Sequence, residues 1–93
     1  MSHITASDNW LFEIKAVRAI KCQQYGNSYS AIATISIVDG EAHVEGLLSK
    51  EGLNAKDSAE IETYLMSIGF KSYQYSRYKN GEKTMVTKVI VSN

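Results

Sequence analysis

Two dipeptides set most of what this 93-residue chain can become: Asp39-Gly40 and Asn80-Gly81, each placed between runs of alternating character. A two-residue type I′ hairpin turn needs a left-handed backbone at both central positions, which Asp-Gly and Asn-Gly accept at little cost. The flanking segments are therefore expected to pair as antiparallel strands. Before Asp39, the residues Tyr29, Ala31, Ala33, Ile35 and Ile37 fall on one face and Ser30, Thr34 and Ser36 on the other. After Gly40, Ala42, Val44, Gly46 and Leu48 alternate with His43, Glu45 and Leu47. Period-two alternation of this kind is the mark of a half-buried strand.

The same rhythm runs from Trp10 to Cys22, with Trp10, Phe12, Ile14, Ala16, Ile20 and Cys22 in phase and Arg18 as the one misfit. It predicts a single long first strand, leaving Leu11, Val17 and Ala19 on the other face. The period then changes after residue 54. Asn54 suits an N-cap, with Asp57, Glu60 and Glu62 in the first turns, where negative charge complements the helix dipole. Ala59, Ile61, Leu65, Met66 and Ile68 make one apolar stripe, and Gly69 followed by Phe70 reads as a helix stop. The spacing predicts a helix over about 55–68. Segments 71–79 and 83–91 flank Asn80-Gly81 as two further strands.

The elements thus run strand–strand–strand–helix–strand–strand. This is an α+β chain: one domain over residues 10–93, with a mainly antiparallel five-stranded sheet and one helix packed on one face. Residues 1–9, short and polar, are expected to form a flexible N-terminal arm. The chain has no proline, so Gly, Asn, Asp and Ser must build its turns. Cys22 is the single cysteine, which excludes an internal disulfide. With no signal-peptide pattern and no apolar run near roughly 18 residues, the expected compartment is the cytoplasm and no membrane partner is expected.

The net charge of zero conceals a dipole. Residues 39–63 set seven acidic side chains against Lys50 and Lys56, a net of −5, while residues 64–93 set five basic side chains against Glu82, a net of +4. Such separation favours oriented association over binding to bulk polyanions.

Chemistry-bearing constellations are sparse. His3, His43 and Cys22 show no HxxxH or CxxC spacing, so no metal and no cofactor is expected. His43 and Glu45 share a strand face. Cys22 ends an apolar row with Lys21 on the opposite face, which leaves its thiol without an activating cation. No catalytic residue is assigned, and a non-enzymatic role is expected. The segment 49–54, Ser-Lys-Glu-Gly-Leu-Asn, joins a strand to a helix N-terminus, a place suited to an anion.

This order of strand hairpin, strand, loop, helix and strand resembles the central part of the GNAT acetyltransferases, whose loop before the helix holds a cofactor pyrophosphate. Their Gln/Arg-x-x-Gly-x-Gly/Ala loop motif has no counterpart here. The resemblance therefore implies a small-molecule or acyl-CoA-binding fold fragment without catalysis.

One strand draws notice for binding. Lys71, Tyr73, Tyr75, Arg77 and Lys79 fall on one face of the segment 71–79. Rings interleaved with cations are what single-stranded nucleic-acid binders use, the bases stacking while phosphates meet positive charge. The alternative roles for these residues are core packing and a protein interface. On the side of the sheet away from the helix, Leu11, Val17, Ile32 and Leu47 are expected to form an apolar patch. The leading expectation is an accessory domain that acts through protein contacts, self-associating as a homodimer through the open sheet face or an edge.

Overall fold

The computed structural model describes residues 2–49 and 54–90, with the side chains of Leu47, Tyr78 and Lys79 outside that description. Within it the chain forms seven strands and one helix: β1 Ile4–Ser7, β2 Trp10–Glu13, β3 Ala16–Lys21, β4 Ala31–Val38, β5 Glu41–Ser49, α1 Ala55–Ser67, β6 Ser72–Lys79 and β7 Glu82–Val89. β1 and β2 make a two-stranded sheet by themselves, and the other five run in the order β3-β4-β5-β6-β7. Three of the four pairings in the larger sheet are antiparallel, and β5-β6 is parallel. A parallel neighbour needs a crossover connection, which α1 supplies.

The expected fold class holds at this coarse level: a small α+β chain with one helix and a mostly antiparallel sheet. Its strand count does not hold. The predicted first strand breaks at Ile14 and Lys15, and its two parts belong to different sheets. Ile14 N–H donates to the His3 carbonyl at the base of the β1-β2 hairpin, while the Lys15 carbonyl accepts from Ile37 N–H in the larger sheet. The break costs one step of phase. Ile14 packs against the core, but beyond it Val17 pairs with Ile35 and turns inward, so the odd positions face the helix. Arg18, which spoiled the predicted inward row, pairs with Thr34 on the outer face and is exposed.

Both glycine turns form as expected, with Asp39 and Asn80 at φ 51° and 52° and the glycines after them at 77° and 79°. The helix also starts where its cap predicts. Asn54 Oδ1 accepts from Asp57 N–H at 2.8 Å, and the Asp57 carboxylate accepts from Asn54 N–H at 3.2 Å, a reciprocal capping box. At the other end Phe70 N–H donates to the Leu65 carbonyl and Gly69 N–H to that of Met66. These bonds turn Phe70 back into the core.

The core lies between α1 and the inner sheet face, with Ile35, Ile37, Leu65 and Ile68 fully enclosed. Burying each stabilises the fold by roughly 1.5–3 kcal/mol. Two ion pairs tie the helix across the sheet. Near its start Lys21 Nζ of β3 lies 2.9 Å from Asp57 Oδ1; further along, Lys88 Nζ of β7 lies 3.2 Å from Glu62 Oε1. Among the described residues no buried side-chain nitrogen or oxygen lacks a partner.

Candidate functional site

Three places offer surface that the fold itself does not use. The first is the β1-β2 hairpin. Ser7 pairs with Trp10 around an Asp8-Asn9 turn, Asp8 being left-handed at φ 50°. Trp10 and Phe12 fall on one side of this ribbon, Ile4 and Leu11 on the other. Neither side is covered: Ile4 is 44% exposed, Trp10 70%, Leu11 73% and Phe12 59%. The hairpin is held at its base, where the His3 ring stacks on Phe70 at 4.9 Å.

The second place is a cleft of about 560 Å³ alongside β3 and under α1. Its floor is Val17, Ala19, Ala31 and Ala33, and Ile61 and Tyr64 of the helix overhang it. The alanines leave room where larger side chains would close the gap between sheet and helix. At one end the Lys21–Asp57 pair forms a polar rim. Hydrogen bonding from Lys21, then from the Asn54 backbone, holds the Asp57 carboxyl below its ordinary value of 3.8.

The third is a wedge between β5 and β6. These strands pair only at His43↔Gln74 and Val44↔Tyr75, after which they diverge. The cause is a bulge opposite Ile32–Thr34, where Gly46 takes φ 59°. Below the divergence lies a cleft of about 750 Å³ lined by Val44, Gly46, Ser58, Ile61, Tyr75 and Lys88. Burial first, then the Glu62 carboxylate, push the Tyr73 phenol above its ordinary value of 10.0. Its cross-strand neighbour Lys88 is held above 10.5, chiefly by its hydrogen bond to Glu62. The lining of the wedge thus mixes apolar side chains with Glu45 and two lysines, Lys83 and Lys88, of which Lys88 is paired with Glu62.

The residues picked from sequence scatter over these places. Tyr73 and Tyr75 face the helix, their rings 6.1 Å apart; Tyr73 is only 8% exposed and belongs to the core. A ring so enclosed presents no face on which a base can stack. Arg77 is exposed further along β6, Lys71 lies before the strand, and the Lys79 side chain is outside the described residues.

Of the expected apolar patch, Leu11 sits on the hairpin and Val17 faces the helix, because the chain loses a step at Ile14 and Lys15. The Leu47 side chain lies outside the described residues. Among the described side chains of that patch Ile32 takes its expected place on the open face, and its neighbours there are Ile20 and Leu48. Leu48, expected inward, is turned outward by the bulge and is 65% exposed. On β5 the Glu41 carboxylate lies 3.8 Å from His43 Nε2.

Among the described residues no group of three His, Cys, Asp or Glu side chains is placed to hold a metal ion, and no helix is long and apolar enough to cross a membrane. Comparison with protein families, with curated proteins and with solved structures finds no match for this chain.

Proposed function

We propose that this chain is a non-enzymatic binding domain that works through protein contacts and associates with itself. The observation that carries the reading is the β1-β2 hairpin, which holds Ile4, Trp10, Leu11 and Phe12 in water on both of its sides. An isolated two-stranded hairpin is marginal in water, and a surface that covers it removes that weakness. The open face of the larger sheet adds the row Ile20, Ile32 and Leu48. Size-exclusion chromatography with light scattering, run over a wide concentration range, is the test. A mass twice 10.3 kDa at high concentration is expected. A strict monomer at several hundred micromolar would end the self-association reading.

A second reading has its own observation. The β5-β6 wedge opens a cleft lined in part by Ser58 and Ile61 of α1, in the strand-to-helix order of elements that suggested an acyl-CoA-binding fragment. Calorimetric titration with coenzyme A and a short acyl-CoA tests it. Gly46→Val, which strains the left-handed bulge, should abolish any binding seen.

A further inference from the structure

We propose that two copies of this chain join about a two-fold axis, each laying its β1-β2 hairpin along the β3 edge of the other. In that arrangement Trp10 and Phe12 fill the partner's cleft between β3 and α1. The inference rests on the self-association reading and says which surfaces meet.

Three observations lead to it. First, the hairpin and the cleft are complementary in kind. The hairpin projects large, mostly exposed aromatic side chains, Trp10 and Phe12, and the cleft is floored by Ala19, Ala31 and Ala33. Residues of the hairpin take no part in lining the cleft of their own chain. Ile14 and Lys15 hold the hairpin where β3 begins, next to Ile37, whereas the cleft extends towards Lys21. A hairpin anchored at one end of β3 serves the far end of another copy's β3 when the two run antiparallel.

Second, the backbones match. Among the described residues β3 has a sheet neighbour on one side only, and the β1-β2 sheet has two free edges. Unpaired strand edges are templates for each other, and adding a strand supplies main-chain hydrogen bonds while the side chains supply selectivity.

Third, area selects the occupant. Trp10 and Phe12, the two side chains on the docking side of the ribbon, present on the order of 300 Å² of exposed apolar surface. Docked once on any partner, with an equal area covered opposite, they bury about 600 Å², below what a lasting interface needs. A reciprocal exchange between two copies doubles this to about 1,200 Å², the lower end of the range for a specific, stable interface. A second copy also brings the matching cleft, since every chain that has the hairpin has the cleft.

Trp10 is the one tryptophan in the chain, so it reports on the proposed contact directly. Emission maximum and acrylamide quenching are followed across a dilution series of the full chain, with light scattering on the same samples. The expected result is that Trp10 is shielded at concentrations where the dimer forms and becomes solvent-exposed in step with dissociation. The double substitution Trp10→Ala with Phe12→Ala should weaken dimerisation at least tenfold. Ala19→Glu, which places a charge on the cleft floor, should do the same and leave Trp10 exposed at every concentration. Circular dichroism checks that each variant is folded; if Ala19→Glu is not, the hairpin double variant decides. A dimer whose Trp10 stays fully quenchable, or one indifferent to the hairpin variant, overturns this exchange and leaves self-association through another surface standing. Monomers throughout remove both.

Discussion

The β1-β2 and β6-β7 hairpins begin from nearly the same local chemistry and end in opposite situations. Each closes through a two-residue turn whose first residue is left-handed, Asp8 at φ 50° and Asn80 at 52°. β6 and β7 then pair over eight positions, and one side of that ribbon lies under α1, with Tyr73 and the adjoining Ile90 in the core. β1 and β2 pair over four positions and bury neither side. Turn chemistry thus proposes a hairpin, and a covering surface decides how firmly it persists. The largest test of this contrast removes the cover. Leu65 of α1 is fully enclosed, and Leu65→Ala should cost about 2–5 kcal/mol in urea unfolding. A cost under about 1 kcal/mol would mean that the helix does not secure the β6-β7 hairpin.

The turns themselves offer a smaller contrast. Gly81 stands at φ 79°, a conformation that costs a residue with a side chain about 1 kcal/mol. Gly81→Ala should therefore lower global stability by about that amount, because β6-β7 belongs to the cooperative core. At Asp8, which already bears such strain, Asp8→Gly should leave the global unfolding midpoint unchanged and only slow local opening of the hairpin. Hydrogen exchange separates the two, since amides of 4–13 exchange through local opening and those of 73–88 through global unfolding. Equal protection in both hairpins would break the comparison.

Titration probes the two ties between helix and sheet, Lys21–Asp57 and Lys88–Glu62. Asp57 sits below its ordinary 3.8 in the folded chain, so its contribution is complete above that value and is lost as pH falls through the lowered one. Tyr73 and Lys88 both sit above their ordinary values, 10.0 and 10.5, so theirs is complete below about pH 10 and is lost as pH rises through the raised ones. Stability measured against pH should decline at both ends. Asp57→Asn should flatten the acid limb alone, and Lys88→Met should remove the lysine's share of the alkaline limb while leaving that of Tyr73. If Asp57→Asn left the acid limb as steep as before, the Lys21 tie would not be its source.

Much of the larger sheet was legible because its signals are local. Asp39-Gly40, Asn80-Gly81 and the Asn54 cap each act within a few residues, and each stands where it was expected. What misled was phase. Alternation from Trp10 to Cys22 looks continuous, yet the break at Ile14 and Lys15 reverses which residues face inward, and only Arg18 hinted at it. The bulge at Gly46 did the same to Leu48, although a glycine inside a strand is the usual warning. Tyr73 and Tyr75 could not be placed from spacing, because a half-buried strand under a helix and an exposed binding strand share one pattern. The short hairpin escaped because strands of four residues barely register as alternation, though Asp8-Asn9 marked the turn.

The smallest expected effect is the most telling for the hairpin. In the monomer, Leu11→Ala and Phe12→Ala remove side chains that are mostly in water already, so each should change stability by less than about 0.5 kcal/mol. Tyr73→Ala, on the other hairpin, removes a core aromatic and should cost about 3 kcal/mol or more. So exposed an apolar surface is expected to add little to the stability of the isolated fold. Unfolding at low and at high protein concentration therefore separates its two possible roles. If Phe12→Ala is neutral when dilute but destabilising when concentrated, the hairpin's contribution lies between chains. If it costs more than about 1 kcal/mol when dilute, the ribbon packs within its own chain and the contrast between the hairpins fails.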